Sequence, residues 1–194
     1  RIVTPGLVTD TDTLEPKENN YLLALVGSDP EYGIAHIDIT TGEFRVTQVE
    51  GLERVESELG SLRPREILFN EDSDGEQLQR KLAQFLGGIM INSLPEWALE
   101  NESSVDAICQ FFSVSSLQSF GCADLPEAVR AAAAVLFYLQ QTQKNALCHI
   151  RPLVTYHTRH HMVLDDATRR NLELTATLQD GRKKGSLLGV LDRT

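Results

Sequence analysis

A mixed α/β layer domain followed by a helical segment is the fold class that this 194-residue sequence predicts, and three observations predict it. Short, strand-like apolar runs crowd residues 20–49. Helix-period and strand-like segments then alternate through residue 94. After about residue 103 the pattern turns helical, and net charge changes sign soon afterwards.

Residues 20–26, NYLLALV, are rich in strand formers and are bounded by Asn19-Asn20 and the turn-like Gly27-Ser28-Asp29-Pro30. Residues 33–49 alternate apolar and polar on both sides of Thr40-Thr41-Gly42, where Gly42 can supply the positive φ of a tight hairpin. Together they read as a three-stranded meander. Leu52, Val55, Leu59 and Leu62 recur at helical spacing, and Pro64 ends that helix. EILFN at 66–70 reads as a fourth strand. A second amphipathic helix presents Leu78, Leu82, Phe85 and Leu86 on one face and closes at Gly87-Gly88, before a strand over 89–94. From Pro126, a favourable first helical residue, Val129, Ala132, Ala133, Leu136 and Leu139 line a long alanine-rich helix. MVLD at 162–165 reads as a brief strand or link. A helix opening at Asp165-Asp166 follows, with Leu172, Leu174 and Leu178 as its packing residues. A last helix starts near Ser186, an N-cap for Leu187, Leu188 and Leu191.

Residues 1–124 hold 22 acids against 8 Lys/Arg, net −14, whereas residues 125–194 hold 6 against 10, net +4. Two pieces are implied. The first repels a phosphate backbone, because DNA affinity is built largely on phosphate neutralisation by Lys and Arg. Cys109, Cys122 and Cys148 are odd in number and lack CxxC spacing, so buried thiols are expected rather than disulfides or a zinc site. No run approaches the ~18 apolar residues of a membrane span, and no leader is evident, so a cytoplasmic setting is expected. The chain begins Arg1-Ile2-Val3 without Met and ends Leu191-Asp192-Arg193-Thr194, which suggests a piece of a longer protein.

Four stretches carry enough polarity to ask for chemistry. Asn70-Glu71-Asp72-Ser73-Asp74-Gly75 copies the first half of a calcium loop, but its twelfth position is Lys81 where a bidentate Glu is required. Acids at a helix start explain it better. In GRKKGS at 181–186 only three residues separate Gly181 from Gly185, and no strand precedes, so it does not match a phosphate loop. His157, His160 and His161 lack a nameable fourth metal ligand and read as solvent-facing. In DDATRRN, Asp165 or Asp166 suits an N-cap and Thr168 offers a second oxygen. Arg169 and Arg170 diverge by about 100° around the helix. With Asn171, this stretch reads as a capped structural junction. No catalytic, cofactor-binding or metal-ligating residue is assigned.

The segments RIVTPG (1–6), NNYLLALV (19–26), DITTGEFRV (38–46), RPREILF (63–69), TRRNLEL (168–174) and GSLLGVLDRT (185–194) follow one another in an order that resembles the middle of bacterial MutS-type DNA mismatch-repair proteins. The resemblance implies a connector domain over residues 1–124, with a ribonuclease H-like mixed sheet and flanking helices. It also implies the truncated opening of an all-α core, or lever, domain over 125–194. The mismatch-reading domain, DNA clamp and Walker ATPase, with its ATP and Mg, would lie elsewhere in the parent. That parent would be a homodimer acting on mismatched duplex DNA.

The implied function is non-catalytic coupling of mismatch binding to the ATPase, together with a docking surface for a MutL-type partner. The docking helix start aligns with SSVDAICQF at 103–111, where Asp106 and Ala107 stand in place of the family's polar amides. Two rival readings remain. A ribonuclease H-like metal-dependent nuclease would need an acid in the first strand, yet Tyr21–Val26 has none and Asp38 falls in the second. Direct DNA binding through Arg169, Arg170, Arg182, Lys183 and Lys184 lacks interleaved aromatics for stacking.

Overall fold

The computed structural model describes residues 20–83, 87–95, 101–142, 147, 149–158, 166–182 and 184–191; for Ser73, Asn101, Glu102, Asp166, Ala167 and Arg169 it describes the backbone only. Strands β1 (Tyr21–Ser28), β2 (Glu31–Asp38) and β3 (Glu43–Glu50) form the meander, and α1 (Leu52–Leu62) leads to β4 (Glu66–Asn70). Helix α2 (Ser73–Lys81), β5 (Met90–Leu94), α3 (Asn101–Phe112) and α4 (Pro126–Thr142) follow, then β6 (Val154–Thr155), α5 (Asp166–Asn171) and α6 (Leu187–Leu191). The sheet order is β5-β4-β1-β2-β3-β6. Pairs β1–β2 and β2–β3 are antiparallel, while β1–β4, β4–β5 and β3–β6 are parallel.

The meander register is set by its turns. Asp29-Pro30 alone joins Ser28 to Glu31, and Gly42, with φ 73°, closes the longer β2–β3 turn. Helix α1 stops at Arg63, left-handed with φ 46°, because Pro64 cannot continue the hydrogen-bond ladder. Asp72 opens α2, its Oδ1 accepting from Gly75 N at 2.7 Å. The acids of the apparent calcium loop therefore serve a helix start. Phe85 and Leu86 lie outside the described residues.

Alternate side chains of each strand enter opposite cores, so β1, covered on both faces, reads as a continuous apolar run. One core joins Leu23, Leu25, Tyr32, Ile34, Ile67 and Phe69 to Val55 and Leu59 of α1 and Leu78 of α2. The other joins Leu22, Val26, Ile37, Phe44 and Leu68 to Ile108 of α3 and the alanine-rich face of α4. Phe112 holds the end of α3 against Phe44 and Phe120, with ring centroids 6.4 and 5.2 Å apart.

Helix α4 begins just after the expected division at residues 124/125. It lies across β1 and β2, and Ala128, Ala131, Ala132 and Val135 are fully buried in the sheet's core. Two features seat it. At Gly33 on β2 a Cβ would stand 1.9 Å from Glu127 O, so only glycine lets the helix backbone approach so closely. Gln48 on β3 then accepts from Glu127 N at 3.0 Å and Ala128 N at 3.4 Å, capping the first turn from across the sheet. Glu66 of β4 holds the other end, accepting from Tyr138 Oη at 2.5 Å and Asn92 Nδ2 at 2.7 Å.

The sheet unit continues past α4. Arg151 N donates to Gly42 O at 2.8 Å, Tyr156 N to Val46 O at 3.0 Å and Thr155 Oγ1 to Phe120 O at 2.6 Å. Within the segment that the resemblance implies to be all-helical, β6 is thus an added edge strand.

Beyond it, the helix expected from residue 165 lasts only from Asp166 to Asn171. Glu173 turns left-handed, with φ 48°. Leu172 and Leu178, expected to pack, are 56% and 53% exposed, and a helix this short has little to propagate it. The chain instead doubles back: Leu187 N and Leu188 N donate to Glu173 O and Leu174 O, both at 2.9 Å. Ser186 caps α6 as expected, accepting from Gly189 N at 3.1 Å.

Gly33→Ala should lower the free energy of unfolding by about 3 kcal/mol, the cost of forcing a methyl into a filled contact. Gly60→Ala, in α1 with nothing within 4 Å of its Cβ, should raise it by about 0.5–1 kcal/mol. Urea titration followed by circular dichroism reads both; equal effects would deny the close crossing.

Candidate docking surface and the unfilled catalytic positions

Helix α3 packs against α4 through Ile108 and its phenylalanines. Residues three and four apart share a helix face, so Ser103, Asp106 and Gln110 point outward together, and all three are exposed. Asp106 stands on this open face, and Ala107 beside it is half-buried. Val105 adds an apolar atom set at 37% exposure.

The junction residues do not meet this surface in any described contact. Asp165 lies outside the described residues, as do the side chains of Asp166 and Arg169, so the capping hydrogen bond expected there falls outside them too. Thr168 is half-buried in α5, with its carbonyl accepting from Leu172 N at 2.9 Å; Arg170 and Asn171 are exposed. Arg63, at the end of α1, ties the loop after α5 to the sheet unit by donating to Thr175 Oγ1 at 3.3 Å.

The nuclease reading needs carboxylates gathered on the central strands. Asp38 is 4% exposed at the end of β2, and its Oδ1 accepts from Thr40 N at 2.8 Å and Thr41 N at 3.4 Å. The carboxylate thus satisfies the amides of the β2–β3 turn, which is a structural task. Among the described residues, no three His, Cys, Asp or Glu side chains converge on a metal-sized point. Nor do the residues fit ATP with Mg: the sequence around Gly181 and Gly185 forms exposed turns, pinned by Thr177 N donating to Arg182 O at 3.0 Å, with no strand before them. His157 is exposed, as expected; His160 and His161 lie outside the described residues, and so does Lys183.

One histidine carried no sequence signal. His36, 3% exposed on β2, stacks edge-on between Tyr21 and Tyr156, with centroids 5.0 and 5.6 Å away. Tyr156 Oη in turn donates to Glu58 Oε2 at 3.1 Å. Burial first, and Arg45 on the neighbouring strand second, depress the His36 pKa to about 4. Its partners come from β1 and from the residue that follows β6, far apart in sequence, and only the sheet register brings them together.

A mixed sheet with an antiparallel meander, a parallel β4–β5 pair beside β1, helices on both faces and no acid in β1 is a ribonuclease H-like domain whose first-strand catalytic position is unfilled. The family model MutS domain II matches residues 20–151, and the chain belongs to that family. It is 40% identical over 199 residues to a protein from Lachnoclostridium phytofermentans named DNA mismatch repair protein MutS. It is 38% and 39% identical, each over 204 residues, to proteins of the same name from Thermosynechococcus vestitus and Acaryochloris marina. All of this chain is covered in each match, but it spans only 21–23% of those relatives' length. Among the described residues no helix is long and apolar enough to cross a membrane.

Because folded His36 refuses a proton that the unfolded chain accepts, stability should be full near neutrality. It should fall as pH drops from 6.5 towards 4, by up to about 3 kcal/mol. Urea midpoints measured across that window should decline for the native chain and decline less for His36→Phe; parallel profiles would show that another group carries the effect.

Proposed function

We propose that this chain is a non-catalytic connector segment of a MutS-type mismatch-repair protein. It links a mismatch-binding part to an ATPase part and offers α3 as a docking face for a MutL-type partner. The observation that carries this reading is the family match over residues 20–151 together with the end-to-end similarity to proteins named for mismatch repair. Its polar residues support it: Asp38, Asp72 and Gln48 are engaged with backbone amides, which suits a rigid transmitter more than a reacting centre.

In this reading mismatched duplex DNA, ATP and Mg belong to other domains of a cytoplasmic homodimer. The residues from about 159 onward open the core, or lever, domain. The packing of α4 and β6 on the sheet supports a division after β6 instead of at residue 124. Coupling of this kind requires an element with two packed arrangements biased by both sites.

Asp106→Arg reverses charge on the exposed α3 face without touching a buried group. Surface plasmon resonance of the intact protein on mismatched DNA should show cognate MutL-type partner binding weakened by about tenfold, or roughly 1.4 kcal/mol, with stability unchanged. Unchanged binding would remove α3 from the docking role and leave the connector reading standing.

A further inference from the structure

At the carboxyl ends of the parallel strands β1 and β4 lies a cleft of about 260 Å³ that shares no residue with α3. Three elements wall it: the β1–β2 turn with Asp29 and Glu31, the start of α2 with Asp72 and Asp74, and the first turn of α4 with Glu127 and Arg130. Glu127 holds Arg130 at 2.9 Å, so that cation is already matched. The remaining four carboxylates leave the cleft strongly negative, although two helix starts face it.

Asn70, the last residue of β4, also lines the cleft and is 4% exposed. Its register with Glu66 and Leu68 places it on the α4 side of the sheet, the side of Glu127 and Arg130. Its Nδ2 donates to Asp72 Oδ2 at 3.1 Å, which fixes which end of the amide is oxygen. Oδ1 has no partner among the described residues. A buried amide oxygen left so is costly, and it belongs to a residue that lines an acidic cleft.

The surplus of acceptors calls for a donor-rich cation. A compact ion is poorly matched, since no three acidic side chains among the described residues converge on one point. A guanidinium is matched: it spreads five N–H donors over a planar fork and pairs with carboxylates spaced too widely for one ion. We propose that this cleft seats an arginine side chain presented by a protein partner, with Asp29 and Asp74 at its mouth and the Asn70 side chain among its lining residues.

The test is an NMR titration of the full chain with acetyl-Gly-Arg-Gly-amide, with its citrulline analogue, which keeps the planar shape without the charge, and with manganese chloride. The arginine peptide should shift the Asn70 side-chain amide and the Gly75 backbone amide saturably. The citrulline peptide should bind roughly tenfold more weakly, as should the arginine peptide to an Asp29→Asn, Asp74→Asn double variant, in which both altered residues are exposed. Equal shifts from both peptides, or no saturable shift, would overturn the proposal. So would manganese broadening of Asn70 that the arginine peptide cannot relieve, which would mark a metal site instead. None of these outcomes depends on α3, so the connector reading stands or falls separately.

Discussion

The contact on which the rest of the molecule depends is the crossing of α4 over β2 at Gly33. A helix normally rides above a sheet on its side chains. Here the glycine removes the side chain below, and alanines thin the helix surface above, so backbone meets backbone. That closeness lets Gln48 reach the amides of the first turn and lets Tyr138 reach Glu66 at the far end. Both polar ties would be out of range on a helix held off by leucines. With α4 so seated, α3 has a wall to pack against, and its outward face is left open.

Much of this was legible because it is local. The meander, α1, β4, β5 and α4 announce themselves by period, by glycine turns and by Pro64 and Pro126. The placement of α4 was not legible. Its buried face is alanine and valine without charge, so the sign change near residue 125 separates compositions and not packed units. Strand β6 is two residues long and owes its conformation to pairing with Arg45 and Val46, more than a hundred positions earlier. The short α5 misled in the opposite direction: Leu172 and Leu178 look like a core stripe, but both are more than half exposed.

The candidate site divides the same way. Asp72 as a helix-start acid and Ser186 as a cap could be read from neighbours two or three positions away. Asp38 looked like a stray carboxylate of a nuclease fold until the turn amides of Thr40 and Thr41 accounted for it. His36 and Asn70 gave no warning, since their surroundings are assembled by strand order alone. Asp38, Asp72 and Gln48 each accept from backbone amides, so these polar groups fix a turn and two helix starts.

If the seat at Gly33 joins helix and sheet into one cooperative unit, native-state hydrogen exchange is the direct measurement. Amides of Val129–Leu139 and those of β1 and β2 should open with a common free energy, close to that of global unfolding. Exchange from α4 at a distinctly lower free energy, with the sheet still fully protected, would contradict the account and restore a boundary before Pro126.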